Sequence, residues 1–494
     1  MNNETSSQAL QPDQVEPQTS GRELPAEKTQ KSGVLLYVRP WNTDQMKHLA
    51  RGVWGNTIDI TCTSEHRSID QSGLTDIFNS TYRKTLPNAV PRHFSEAESA
   101  DITLRCRLLR NVSPDTARRL LVAMEHAIDQ VLTRTQPSVM LSLTIDSYVM
   151  DLFATLCAKR GIKFIGLVPS FIKDHFRLST RGEYVDSREV SEADINAALA
   201  TLNVKDYRPD FLVQSNSAMR QQMWRLWRRN LPKPLWFALR RLVPGESRNY
   251  HYWASQIISS RFWSLWPRQL SGISGAELEA LGTDGGPPLI YLPLQMSPEA
   301  TIDYWSEDTS WIEYEQAILN LVRRHQATWR FVIKEHPNLL GYRSRRFYQR
   351  LQGETNCVMA SPSMPSNDLV RLCDGVLVCT GTAGFEAALR GVPVLSDSNP
   401  YYAMPGTLLA VATLDKGKLP ASNLDAARQR SLMAHVLRGS LPGRFVNDGS
   451  WRADKPQHVI WSETMAASIR NYLAREQVLE ADRATSLSVQ KMST

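Results

Sequence analysis

Eight short apolar runs separated by helical patterns constrain what this chain can fold into. In the first half they are VLLYV (34–38), TIDITC (57–62), SVMLSLT (138–144) and IKFIGLV (162–168). In the second half they are PLIYLPL (288–294), WRFVIKE (329–335), GVLVCT (375–380) and VPVLSD (392–397). Near-continuous apolar runs suit strands covered on both faces, and helical stretches such as PDTARRLLVAMEHAIDQVLTR between them suit crossover connections. The pattern predicts an α/β chain with two Rossmann-like domains facing a cleft. A Gly-Pro linker, LGTDGGPP (281–288), parts the halves. We place one domain at 33–280 and a second at 287–460, followed by a helix and tail at 461–494. At 494 residues the chain is long enough for two cores.

The polar stretch 1–32 lacks a charged start followed by an apolar run, so it reads as a disordered leader rather than a signal peptide. No apolar run reaches the roughly 18 residues of a membrane-spanning helix. The six cysteines form no Cys-x-x-Cys pair and read as reduced core residues of a cytoplasmic protein. A net charge of +7 suits an anionic substrate or a membrane surface, and no nucleic-acid-binding motif accompanies it. Between 218 and 268, within the first domain, six tryptophans are interleaved with arginines. That segment reads either as a helical subdomain with a Trp core or as a face for membrane or a lipid-linked anionic acceptor. The run 461–481 reads as an amphipathic helix packing back on the first domain, with the last ten residues loose.

Ligands of doubly wound sheets sit beyond the carboxyl ends of the strands, so residues just after each run are the ones to weigh. After WRFVI come Lys334, Glu335, His336 and Pro337, with Arg343 close behind. These cations suit a phosphate, and His336 could equally be a loop residue capping carbonyls. In VLVCTGTAGFEAALRGVPVL, the residues Thr380, Gly381 and Thr382 open a helix where free N–H groups could meet a phosphate. Glu386, one turn in, could bridge ribose hydroxyls or simply match the helix dipole. In YLPLQMSPEAT, Gln295 and Glu299 are expected at the cleft, although SPEA is also an ordinary helix start with Pro298 at its first position. Asp146, after SLTI, could act on a sugar carbon as base or nucleophile, or could cap the helix SYVMDLFATLCAKRG. Asp174 and His175 are lesser candidates.

YLPLQMSPEAT, KEHPNLLGYRSRRFYQRL and VCTGTAGFEAALRGVPVL, in this order and spacing, resemble the capsular polysaccharide biosynthesis family, which includes retaining Kdo transferases of GT-B fold. The resemblance covers 287–400 and implies a glycosyltransferase using a CMP-activated sugar such as CMP-Kdo, with a lipid-linked or polysaccharide acceptor. It implies that His336 and Pro337 are the family's His-Pro pair on the sugar donor's phosphate, that Thr380, Gly381 and Thr382 are the phosphate turn, and that Glu386 is the acidic residue of the following helix. Apart from the resemblance, the positive charges of Lys334 and Arg343 suit a phosphate leaving group, and the strand-end positions make Asp146 and Glu299 the candidate catalytic carboxylates. The family commonly has a His where Gln295 stands. No Asp-x-Asp element occurs in these blocks, which favours a leaving group that departs without a metal or other cofactor. A CDP-glycerol-type glycerophosphotransferase and a non-catalytic assembly or export partner are the alternatives, and the place of work is the cytoplasm, at the inner face of the membrane.

Overall fold

The structure is a computed structural model. It describes residues 33–202, 207, 209, 224, 228, 231–240, 242–243, 248–250, 272–297, 299–336, 343–447 and 449–492, with side chains as far as 478. Thus the leader 1–32, Pro337, and most of the Trp and Arg segment lie outside the described residues.

The strands are β1 (Gly33–Tyr37), β2 (Ile60–Thr63), β3 (Pro137–Leu143), β4 (Lys163–Pro169), β5 (His175–Leu178), β6 (Leu289–Pro293), β7 (Arg330–Lys334), β8 (Cys357–Met359), β9 (Gly375–Leu377), β10 (Val394–Leu395) and β11 (Leu441–Pro442). They form two sheets, a six-stranded one ordered β11-β5-β4-β3-β1-β2 and a five-stranded one ordered β10-β9-β6-β7-β8. The second sheet is parallel throughout, whereas β5 and β11 extend the first sheet antiparallel. Two Rossmann-like domains are thereby formed. Each of the eight apolar runs supplies a strand. The strands that the sequence did not announce are β5, β8 and β11, which are short or lie at an edge where no continuous apolar run is needed.

Side-chain alternation along each strand divides the cores. Leu35 and Tyr37 of β1 enter a cluster with Leu120, Met124 and Ile128 of the helix Pro114–Thr135 and with Leu152 and Phe153 of the helix Tyr148–Lys159. Val34 and Leu36 enter the opposite cluster with Met46 and Leu49 of the helix Thr43–Trp54 and with Met465 and Ile469 of the C-terminal helix. The second sheet repeats this, with Ile290 and Leu292 on one face and Leu289 and Tyr291 on the other. Each fully buried Leu or Ile contributes roughly 1.5–3 kcal/mol.

The helix Pro114–Thr135 starts where Ser113 caps Thr116 and Pro114 stands at the first turn, and it stops at Gln136 in the left-handed region. The C-terminal helix, expected to end near 481, runs Pro456–Met492, because no Pro or Gly follows Pro456 to stop it. It lies so close to the helix Thr43–Trp54 that a Cβ on Gly52 would sit 2.8 Å from the Ala466 Cβ. A side chain at position 52 would push the two helices apart.

The halves meet at their strand ends. Asp303, 1% exposed, accepts from Arg107 at 2.5 Å and Arg110 at 3.0 Å, while Arg105 donates to the Asp303 and Ser306 carbonyls. Trp305 donates to the Thr144 hydroxyl at 3.2 Å, and the Arg177 guanidinium lies 5.6 Å from the Trp305 ring and 4.2 Å from the Tyr401 ring.

Candidate active site

Strand order selects the site. Relabelled by appearance, the second sheet runs 3-2-1-4-5 and the parallel part of the first runs 2-1-3-4, so each has one point where the winding reverses. In such sheets the crevice beyond the strand ends at that point holds the ligand. In the first sheet the reversal lies between β1 and β3, and the residues just past those strands are Arg39 and Asp146. In the second it lies between β6 and β9, followed by Gln295 and by the turn Thr380–Thr382.

Asp146 is ion-paired with Arg39, and its backbone carbonyl accepts from the Tyr250 hydroxyl at 2.7 Å. It does not cap the helix Tyr148–Lys159. Ser147 does, through its hydroxyl and the Met150 N–H, and the Asp146 carboxylate is left for the arginine. Behind it, Glu65 accepts from the Tyr37 hydroxyl and from the Tyr250 N–H, each at 3.0 Å, and burial pushes its carboxyl up to about 7. A cavity of about 300 Å³ opens beside Glu65, with Thr75, Asn79, Arg83 and Val243 in its walls.

Glu299 is the N-cap residue of the short helix Ala300–Asp303 rather than a first-turn residue. Its carboxyl accepts from the Thr301 hydroxyl at 2.9 Å. Burial raises the Glu299 pKa, and the Thr301 hydroxyl and the charge of Arg107 pull it back. Arg107 also feels Asp146, so one guanidinium links carboxylates from both halves electrostatically.

Lys334, His336 and Glu386 form a second group. Burial pushes His336 down to about 4, helped by the charges of Arg343 and Lys334, so its ring is neutral at pH 7. Lys334 donates to the Ser366 hydroxyl at 3.3 Å. Burial pushes Glu386 up to about 7, against the pull of Arg390 and Lys334. A neutral imidazole and a carboxyl that burial inclines to keep its proton can each donate a hydrogen bond without bringing a charge into the site.

Three expectations need correction. Arg343 was expected on a phosphate, but it is 1% exposed and donates to Glu335 at 2.8 Å and to the Gln295 carbonyl. Glu335 also takes the Tyr348 hydroxyl and the His336 N–H, so the arginine is held by a buried carboxylate at the strand end and not by a ligand. Gln295 was expected to face the cleft. It is 7% exposed, and with the amide assigned the orientation that its neighbours' hydrogen bonding requires, its side-chain oxygen accepts from the N–H groups of Cys379, Thr380 and Gly381 at 2.7, 3.1 and 3.0 Å. The turn expected to greet a phosphate with free N–H groups therefore has those of Thr380 and Gly381 filled from within, and the Thr380 hydroxyl donates to the Thr301 carbonyl at 3.1 Å. Asp174 is exposed in a left-handed turn and His175 begins β5, away from either reversal point.

Arg39, Glu65, Arg107 and Tyr250 were not singled out from the sequence. Arg39 stands two residues past β1 and was within reach of the strand-end rule. Glu65 stands likewise two residues past β2, whereas Arg107 and Tyr250 lie outside the strand ends, where no local pattern marks them.

Residues 269–439 match the family model described as capsule polysaccharide biosynthesis protein. That span contains Gln295, Glu299, Lys334, His336 and the segment Thr380–Glu386, so the resemblance carried by the three motifs holds there. No curated protein matches. Among solved structures, the beta Kdo 2,7 transferase of Thermosulfurimonas dismutans KpsC is 14% identical, with 90% of this chain and 100% of that one covered at a TM-score of 0.36. The beta Kdo 2,4 transferase of the same protein is 13% identical, covering 61% and 79% at 0.30. A UDP-GlcNAc 2-epimerase from Neisseria meningitidis is 13% identical, covering 90% and 99% at 0.23.

Proposed function

We propose that this protein is a glycosyltransferase of capsule biosynthesis, moving a sugar, Kdo, from a CMP-activated donor to a polysaccharide or lipid-linked acceptor. The observation that carries the reading is the family match over 269–439, the span in which Lys334, His336 and Glu386 form one electrostatic group. In this reading Lys334 and the neutral His336 hold the phosphate of CMP, and Glu386 takes a ribose hydroxyl. The bond between the anomeric carbon and the phosphate oxygen breaks, and CMP leaves with the electron pair. Lys334 stabilises the charge that develops on it, so no metal is needed and turnover survives EDTA. The acceptor hydroxyl forms the new bond and gives its proton to a carboxylate, for which Asp146 and Glu299 are the candidates.

A calorimetric series with CMP, CDP, UMP and UDP tests the reading. Selective CMP binding that is lost in His336→Ala, followed by CMP release from CMP-Kdo in the presence of acceptor, supports it. Preference for a uridine nucleotide overturns the assignment of the sugar donor. A second reading, a non-catalytic assembly partner, draws on Gln295, whose oxygen already fills the turn N–H groups. Absence of binding to all four nucleotides favours that reading.

A further inference from the structure

Among the described residues thirteen large apolar side chains are well exposed, and seven of them fall between 224 and 243: Trp224, Leu231, Leu235, Trp236, Leu239, Leu242 and Val243. A soluble surface usually scatters such residues singly, and a concentration of them marks a contact. The helix Lys233–Arg240 shows how they are presented. Phe237 is 4% exposed and anchors the helix inward, while Leu235, Trp236 and Leu239 are 68%, 46% and 58% exposed.

The charge around them is one-sided. From Phe211 to Gly245 the sequence has six arginines, one lysine and no acidic residue. The Arg240 guanidinium lies 5.3 Å from the Trp236 ring, so the cation and the aromatic face are presented together. A protein partner of ordinary composition supplies no reason for thirty-five residues without one acid. An anionic surface does, and Trp with Arg and Leu is the composition of a segment that rests in the headgroup layer.

We propose that the exposed side chains of the helix Lys233–Arg240, with those of Leu231, Leu242 and Val243 beside it, dock on an anionic phospholipid bilayer. Leu235, Trp236 and Leu239 enter the interface, and the Arg240 guanidinium beside the Trp236 ring meets lipid phosphates. Among the described residues no helix is long and apolar enough to cross a membrane, and the contact proposed is a peripheral one. Val243 ends the exposed run and also lines the cavity beside Glu65, so docking sets that cavity at the membrane surface. This inference does not depend on the transferase reading.

The test is sedimentation of the full chain with vesicles, needing no nucleotide. One set is phosphatidylcholine alone and the other contains 30% (about one lipid in three) phosphatidylglycerol, an arbitrary mid-range anionic content. At least tenfold stronger binding to the anionic vesicles, weakened by raising salt and lost in Leu235→Glu/Leu239→Glu, is expected. Because these positions are exposed, the double variant should keep the circular dichroism and unfolding midpoint of the wild type. Equal or absent binding to both vesicle types overturns the proposal. So does concentration-dependent dimerisation that the same double variant abolishes, since the face would then serve a second copy of the chain.

Discussion

With its amide oriented so that oxygen faces the donors, the Gln295 side chain lies 3.0 Å from the Gly381 amide nitrogen and also takes the two N–H groups before it, which ties the end of β6 to the turn after β9. The tie closes the reversal point of the second sheet from within. Gln295→Ala leaves buried N–H groups without a partner and should cost about 1–3 kcal/mol in urea unfolding. A loss well under this would mean that water replaces the amide, leaving the turn open to a phosphate.

His336 and Glu386 should bend the pH dependence of stability in opposite directions. The folded pKa of His336 is depressed from 6.5 to about 4, so the unfolded chain binds more protons between those values. Stability from this group is lost as pH falls from 6.5 towards 4, on the order of 3 kcal/mol in all. Glu386 is raised from 4.5 to about 7, so the folded chain binds more protons in that window and stability falls as pH rises through it. Unfolding series from pH 4 to 7.5 should therefore lose their acid-side fall in His336→Gln and their rise toward lower pH in Glu386→Gln. Unchanged slopes in both variants would show that neither group is desolvated as described.

Asp146→Asn removes the charge that Arg39 pairs with but keeps the shape. Under the transferase reading, kcat should fall at least about 100-fold, while CMP affinity, which rests on the other half, should change less than about twofold. Equal losses in both would place Asp146 in nucleotide binding instead.

Asp303→Ala leaves Arg107 and Arg110 facing each other where one buried carboxylate had joined them. Removing one partner of a buried pair costs about 3–5 kcal/mol, read as a lowered unfolding midpoint. The Arg110→Ala variant, from the more exposed partner, should cost less. Similar small losses for both would show the hub to be solvated.

Much of the fold was legible because parallel strands buried on both faces must be apolar throughout, and such runs stand out in a sequence. β1, β3, β6 and β7 are examples, and the strand-end rule then led to Asp146, Lys334 and His336. The rule did not say how the side chains there would be used. Arg343 looks from the sequence like one more cation for a phosphate, since nothing local reveals that Glu335, eight residues earlier, folds back to meet it.

The sequence by itself determined the class of fold, the alternation of its layers and the residues standing at its strand ends, because these follow from local periodicity and short-range chain geometry. Strand order was settled only by tertiary structure, and with it the pairing of Arg39 with Asp146, of Arg107 with Asp303, and of Gln295 with the turn at Gly381. Each of those pairs joins residues far apart in the chain, Arg39 and Asp146 at a separation of 107 and Arg107 and Asp303 at 196. Burial then makes such pairing obligatory, since a desolvated charge or N–H group without a partner costs more than any local preference can return.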